Sequence, residues 1–481
     1  MGTGAYSAIE RAQRLSDGGS FVELWPMRRA RGDVRATPDG DGVVVGLGRV
    51  DGSAVAIVSH DFRHVGGSIG SAFAQKVSRL QDLALGRGIP IVYLNDSGGA
   101  RIQEGIEELD GCGDIFARNV RARRRVPQIS VILGPCAGAA AYSPALTDWT
   151  IVVRGQGQMF LTGPEVVRLA TGEIVDPEDV GGATLHGSQS GVAHVIAEDE
   201  DAAFGLVRRL LSYWPQSKGA ALPVANGVGA HSDAAAQLST VVPESTRTVC
   251  DMQRVLDGML DESTWTPIMA THAQSILTGF GRLDGIPVGI VASQPQFKGG
   301  VLDADSSRKV ARLGGFCGRF GIPVITLVDV PGFLPGIEEE RRGVITYGAG
   351  ILAAYVDADV VKLTVIVRKA YGGAYIAMGS RSLGADMSWA WAGSELAVMG
   401  PGGAVGILHR RDLANAEDPA ALRADLAETY RHDVTRPYLA AERGIIDEVI
   451  MPAETRPRLV DALHSLLPVS VGVGRTERNN S

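Results

Sequence analysis

Two stretches of this 481-residue chain join a β-branched strand to a turn and then to a helix opening built from small residues. In the first, Ser130 to Leu133 runs into Gly134, Pro135, Cys136, Ala137, Gly138, Ala139, Ala140, Ala141 and Tyr142. In the second, Leu363 to Val367 runs into Arg368, Lys369, Ala370, Tyr371, Gly372, Gly373, Ala374 and Tyr375. A helix opening leaves main-chain N–H groups without internal acceptors and carries the positive end of the helix dipole, so it stabilises an oxygen that gains negative charge. Small side chains let a carbonyl oxygen reach those donors. The chemistry served would be one that builds charge on a carbonyl oxygen. Close helix-to-strand packing produces the same composition, and one copy alone does not separate the two readings.

The elements that must hold these turns are duplicated. Residues 46 to 58 (GLGRVDGSAVAIV) and 279 to 291 (GFGRLDGIPVGIV) share 8 of 13 positions at an offset of 279 − 46 = 233. The same offset pairs Gly66 and Gly67 with Gly299 and Gly300, Ile89 and Pro90 with Ile322 and Pro323, Asp96 and Gly99 with Asp329 and Gly332, and Tyr142 with Tyr375. Internal repetition of this length marks two copies of one structural unit. Each half alternates short apolar runs with helical patterns: Val55 to Val58, Ile91 to Leu94 and Ser130 to Leu133, then Val288 to Val291, Val324 to Val328 and Leu363 to Val367. Strands apolar on both faces belong to buried, largely parallel sheets. Residues 215 to 245, rich in Pro, Ala, Gly and Ser, read as the connection, with the boundary near residue 240.

A second pair of turns follows the strands ending at Leu94 and Leu327: Asn95-Asp96-Ser97-Gly98-Gly99-Ala100-Arg101 and Val328-Asp329-Val330-Pro331-Gly332-Phe333. Ligands of parallel sheets sit at the carboxyl ends of strands. Arg101 is there either to meet a phosphate or carboxylate, or as a solvated surface arginine. Gly66-Gly67-Ser68-Ile69-Gly70 fits the G-x-S-x-G pattern of a hydrolase nucleophile elbow, with His60, Asp61 and His64 nearby. The residue 233 positions beyond Ser68 is Val301, so the glycines recur while the hydroxyl does not, as a backbone requirement predicts. His186 and His194 have no metal-pair spacing, and no metal is expected.

Composition bounds the rest. With 45% hydrophobic and 21% charged residues and 62 glycines, the chain reads as a globular α/β protein of more than one domain. A net charge of -8 argues against nucleic acid as a partner. Cys112, Cys136, Cys250 and Cys317 form no CxxC pair, and neither a signal peptide nor an apolar run of membrane-spanning length is present, which points to the cytoplasm.

The strings DSGGARIQEG (96 to 105), GPCAGAAAYSPALTD (134 to 148), MFLTGPEVV (159 to 167), SGVAH (190 to 194), DVPGFLPG (329 to 336), RKAYGGAY (368 to 375) and ELAVMGPGGAV (395 to 405) resemble the β-subunit (carboxyltransferase) family of biotin-dependent acyl-CoA carboxylases. That family includes propionyl-CoA and acetyl-CoA carboxylases and transcarboxylase. The resemblance covers roughly residues 8 to 465. It implies an α/β fold of two tandem crotonase-like ββα-repeat domains, residues 1–240 on the acyl-CoA side and 241–481 on the biotin side. It also implies a homohexamer, with the active site between the N-domain of one subunit and the C-domain of another. By motif position, backbone oxyanion sites would fall at Gly138 and Ala139 for the acyl thioester and at Gly373 and Ala374 for the biotin ureido oxygen. Gly98, Gly99, Ala100, Arg101, Gly372 and Tyr375 would bind the coenzyme A and biotin portions. Carboxybiotin, carried on a separate biotin carboxylase/biotin carboxyl carrier α-subunit, would release CO2 beside the thioester, and the freed ureido nitrogen would take the α-proton. The enolate would then attack CO2, giving malonyl- or methylmalonyl-CoA from acetyl- or propionyl-CoA. No side-chain base is needed, in keeping with the lack of a triad or carboxylate pair.

Departures from the family pattern leave alternatives open. The first oxyanion motif usually reads AGGAVY, whereas Ala139 stands here at the second glycine. Propionyl-specific relatives carry an aspartate where Ile376 stands, and the resemblance implies that this position lines the acyl pocket, so Ile376 is the candidate for chain-length preference. Thr346 and Tyr347 replace an Arg-His pair, and Ala392 replaces a proline. A malonyl- or methylmalonyl-thioester decarboxylase or a transcarboxylase would use the same chemistry, a non-catalytic scaffold would keep the fold alone, and a serine hydrolase would use Ser68. None of the six lysines lies in a biotin-accepting Met-Lys-Met context, so biotin must come from a partner.

Overall fold

The computed structural model describes residues 6–30, 39–229, 233–241 and 248–467. Its contacts divide the chain into two units, Met1–Ala221 with Met269–His272, and Leu222–Ile268 with Ala273–Ser481. The division falls upstream of the composition boundary near residue 240; within the connection at 215 to 245, residues 230–232 and 242–245 lie outside the described residues.

Unit 1 holds strands β1 (Val22–Glu23), β2 (Val43–Val50), β3 (Ser53–His60), β4 (Ile91–Ser97), β5 (Gln128–Ala137), β6 (Trp149–Val153), β7 (Gln158–Phe160) and β8 (Val195–Ala197). They form one sheet in the order β1-β2-β3-β4-β5-β6-β8, with β7 paired to β5. Unit 2 repeats the plan with β9 (Thr266–Ile268), β10 (Ile276–Leu283), β11 (Ile286–Ser293), β12 (Val324–Val330), β13 (Lys362–Tyr371), β14 (Met387–Trp391), β15 (Glu395–Ala397) and β16 (Glu448–Ile450). Its order is β9-β10-β11-β12-β13-β14-β16, with β15 paired to β13.

Local sequence accounts for this plan. Asp51-Gly52 and Asp284-Gly285 lie at positive φ between antiparallel strands, the two-residue hairpin turn that Asp-Gly favours. From β3 and β11 onward the strands run parallel, each crossover carried by a helix such as Ser71–Arg87 or Ala304–Phe320. Every residue of β4 and of β12 is buried, as a strand covered on both faces requires. Lys76 and its equivalent Lys309 are also buried, each Nζ donating to two carbonyls at the entry of the first hairpin: Gly40 and Val43 at 3.0 and 2.5 Å, and Ala273 and Ile276 at 3.4 and 2.6 Å.

The repeat does not keep a single offset. β2, β3 and β4 match β10, β11 and β12 at 233, but β5 begins at 128 and β13 at 362, an offset of 234. One residue has been inserted in the crossover between them. The pairing of Tyr142 with Tyr375 is therefore corrected: strand register equates Ala137 with Tyr371, Gly138 with Gly372, Ala139 with Gly373, Ala140 with Ala374 and Tyr142 with Ile376.

Candidate active site

β5 ends at Ala137 and the helix Ala139–Leu146 begins two residues later, which leaves Gly138 to turn the chain at φ 54°, ψ −121°. That backbone combination suits glycine alone. The Gly138 N–H donates to Phe160 O on β7 at 3.0 Å, and its carbonyl accepts from Ala141 N–H at 3.0 Å. Gly138 is thus committed within the fold, which corrects its expected role as an oxyanion donor. The donors that follow are Ala139 and Ala140, whose N–H groups in the first helical turn have no acceptor one turn back. Ala139 lies inside the helix and outside the positive-φ residues, so alanine at the family's second glycine is unstrained.

Unit 2 builds the matching turn. β13 leads into Gly372 at φ 58°, where a Cβ would lie 3.1 Å from Val398 O. Gly373 is exposed, and a Cβ there would meet nothing within 4 Å. The Tyr371 hydroxyl donates to Glu395 on β15, and Glu395 also accepts from Arg431 Nε at 3.1 Å, which ties the strand end to its neighbour. Ile376 and Gly373 line two cavities at once. One is walled by Tyr375, Leu396, Val398 and Leu439 with Arg436 and Arg443, the other by Phe333, Val344, Gly348 and Leu352 with Glu340. Ile376 is 43% exposed between them, and burial pushes the Tyr375 phenol above its ordinary pKa. Of these cavity residues the sequence reading had Gly373, Tyr375 and Ile376, and Phe333 in the turn after β12; the exposure of Val398, inside the quoted ELAVMGPGGAV string, is what singles out the wall of the first cavity.

The Gly98–Arg101 segment is tied to the Gly66–Gly70 turn, with Gly98 left exposed. Gly98 N–H donates to Gly66 O at 2.7 Å, Gly99 O accepts from Ile69 N–H at 2.8 Å, and Ile69 bridges Ala100. Gly67 is glycine because a Cβ would come within 2.2 Å of Asp96 O, and Gly300 faces Asp329 O in the same way at 2.7 Å. Arg101 is 6% exposed and turned inward, donating to Asp41 at 2.6 Å, Glu104 at 2.8 Å, Ser68 O at 2.9 Å and Ser68 Oγ at 3.3 Å. With its fork spent on these four acceptors, Arg101 is corrected from a ligand contact to an internal staple. Ser68 therefore meets a guanidinium in place of a histidine, and His60, whose Nδ1 accepts from Asp96 N–H at 3.4 Å, is lowered to about 3 by burial. Among the described residues no group of His, Cys, Asp and Glu could hold a metal ion, and no helix is long and apolar enough to cross a membrane.

The model of the carboxyl transferase domain family matches residues 2–480. The chain is 48% identical over 467 residues to the propionyl-CoA carboxylase carboxyltransferase subunit of Haloferax mediterranei, covering 96% of this chain and 90% of that one. It is 44% identical over 471 residues to the methylmalonyl-CoA decarboxylase subunit alpha of Propionigenium modestum, with 96% and 90% covered. Among solved structures, the transcarboxylase 12S hexamer with methylmalonyl-coenzyme A and methylmalonic acid bound aligns at a TM-score of 0.92 and 42% identity, over 96% of this chain and 89% of that one. The two eight-stranded sheets with their helical crossovers are accordingly the tandem crotonase-like domains expected from the sequence. With a family match from end to end, relatives near half identity and a main-chain turn repeated in both units, the chain belongs to the carboxyltransferase β-subunit family of biotin-dependent acyl-CoA carboxylases.

Proposed function

We propose that this chain transfers CO2 from carboxybiotin to the α-carbon of a short-chain acyl-CoA such as acetyl- or propionyl-CoA. The observation that carries the reading is the recurrence of one turn in both units: strand, positive-φ glycine, then first-turn N–H donors on small residues. Ala139 and Ala140 are assigned to the thioester oxygen, and Gly373 and Ala374 to the ureido oxygen of biotin. Biotin, carried by a separate α-subunit, supplies the CO2 and a nitrogen that accepts the α-proton. The chain's own part is electrostatic: fixed donors stabilise the enolate oxygen, each typically contributing about 10²- to 10³-fold in rate. Gly372 leaves its side free because any Cβ would crowd Val398 O, and the apolar walls beside it suit a hydrophobic bicyclic ring. Ile376 is assigned to the acyl pocket, and its exposed side chain between two apolar cavities favours an uncharged acyl group.

Residues up to about 240 take the acyl-CoA side and the remainder the biotin side, in a homohexamer. The four buried free cysteines fit a reducing cytoplasm. The identity shared with a decarboxylase subunit keeps a second reading, loss of CO2 from a methylmalonyl thioester, through the same donors. Gly373→Val tests both. Open space at its Cβ lets the fold survive, while the branched side chain covers the donors, so CO2 transfer or release is expected to fall at least about 10²-fold with an unchanged circular dichroism spectrum. Retained turnover would count against both readings.

A further inference from the structure

Beneath the first turn runs a line of polar groups, all buried except the half-buried Gln156, that the transfer chemistry leaves unused. Asp96, at the carboxyl end of β4, is 2% exposed, and its Oδ2 accepts from Arg11 Nη1 at 3.0 Å. Arg11 projects from the buried face of the helix Ala8–Leu15, beside Ala8, Ala12 and Leu15. The other edge of its fork binds Glu200 through Nε at 3.0 Å and Nη2 at 2.9 Å. Glu200 accepts in turn from Gln156 Nε2 at 2.7 Å, and the same amide donates to Leu133 O at 2.7 Å. Leu133 and Gly134 belong to β5, and Asp96 is lodged against that strand so closely that a Cβ at Gly134 would come within 2.1 Å of its Oδ1. The line therefore begins packed against, and ends hydrogen-bonded to, the strand that delivers Gly138.

Unit 2 braces its strand with local groups. Asp329, equivalent to Asp96, accepts the main-chain N–H of Lys369 at 3.2 Å, and the cations beside it are Arg368 and Lys369 of the same strand. Strand register equates Arg368 with Gly134 and Lys369 with Pro135. Glycine brings no charge and proline no N–H, and Asp96 Oδ1 accordingly has no hydrogen-bond partner. The cation for the first turn comes instead from the helix Ala8–Leu15.

We propose that Arg11 is a positioning residue for the first turn: by holding Asp96 and Glu200 as a charged brace on β5, it fixes where the Ala139 and Ala140 N–H groups meet the thioester oxygen. This rests on the assignment of those donors to the thioester. The groups that face Asp96 set its response to pH. Burial pushes it up to about 6, Arg11 draws it down, and Glu200 and Asp61 push it further up. His60 is held neutral by burial, and burial keeps the Cys136 thiol protonated. Loss of Arg11 keeps Asp96 protonated to higher pH and discharges the brace.

The test uses the chain assembled with its biotinylated partner and follows CO2 transfer to acyl-CoA on both sides of pH 6. Arg11→Met is expected to lower kcat about 10- to 100-fold, the range for small misplacement of catalytic groups, to leave the KM for acyl-CoA nearly unchanged, and to move the acid limb of kcat upward. Arg11→Lys keeps a cation and restores part of kcat. Because a buried network stripped of one charge loses stability, Arg11→Met/Asp96→Asn/Glu200→Gln, which strands no charge, is measured beside it. It is expected to have a low kcat and no acid limb from Asp96. Arg11→Met with an unmoved limb and kcat, or the triple variant at wild-type kcat, overturns the inference alone. A wild-type assembly that moves no CO2 from carboxybiotin overturns the functional reading itself.

Discussion

At the residue scale, what a side chain does here follows from where its polar atoms are spent. Arg101 sits in a motif shared with the family, yet its guanidinium is consumed by Asp41, Glu104 and Ser68. Arg101→Met should therefore cost stability in place of affinity. Breaking a buried ion pair from one side typically costs about 3–5 kcal/mol, so a lower urea midpoint with an unchanged KM for acyl-CoA is expected; a raised KM at full stability would return Arg101 to the ligand. The sequence alone leaves staple and ligand contact open for this arginine, because Asp41 lies sixty residues away along the chain. The two glycine turns were legible from residue type. The identity of the free donor was not, because it depends on Phe160 O, an acceptor brought in by β7.

At the element scale, the duplication was readable from the repeated strings and the parallel order from strands apolar on both faces, while the Asp-Gly hairpins that open each sheet came only with the structure. The shift from 233 to 234 was not, since an insertion within a crossover leaves each flanking motif intact. One repeated device has a thermodynamic signature. Burial lowers Lys309 to about 7 and Lys76 to about 8. In the unfolded chain both stay protonated up to near 10.5, so between those values the unfolded state binds more protons than the folded one. Stability then rises with pH through that window and is lost on returning toward 7, by up to about 1.4 kcal/mol per pH unit for each lysine. Denaturant titrations at a series of pH values check this: Lys309→Met is expected to reduce the slope, and an undiminished slope would refute the assignment.

For the whole molecule, the exposed apolar side chains fall on matching parts of the two units. Ile102 and Ile106, after β4, and Leu161 and Leu169, around the Gly163-Pro164 turn, are answered by Ile337 and Ile345, after β12, and by Val398, Ile407 and Leu408, around Gly400-Pro401. Exposed apolar side chains in such numbers fit surfaces that an assembly covers. A homohexamer is expected by sedimentation, and Ile106→Asp/Leu169→Asp should release smaller species; an unaltered boundary would show that these two residues are not at the joint. The paired lysines carry a last consequence for a protein that handles activated thioesters. An amine whose proton is lost near neutrality is an aggressive nucleophile toward acyl groups, and among the described residues Lys76 and Lys309 are both such amines and both sealed behind carbonyl acceptors. Burial thus both draws the proton from these two amines and shields them from acylation by the chain's own substrate, and on unfolding, as the shield is lost, the ordinary pKa near 10.5 returns and keeps them protonated at neutrality.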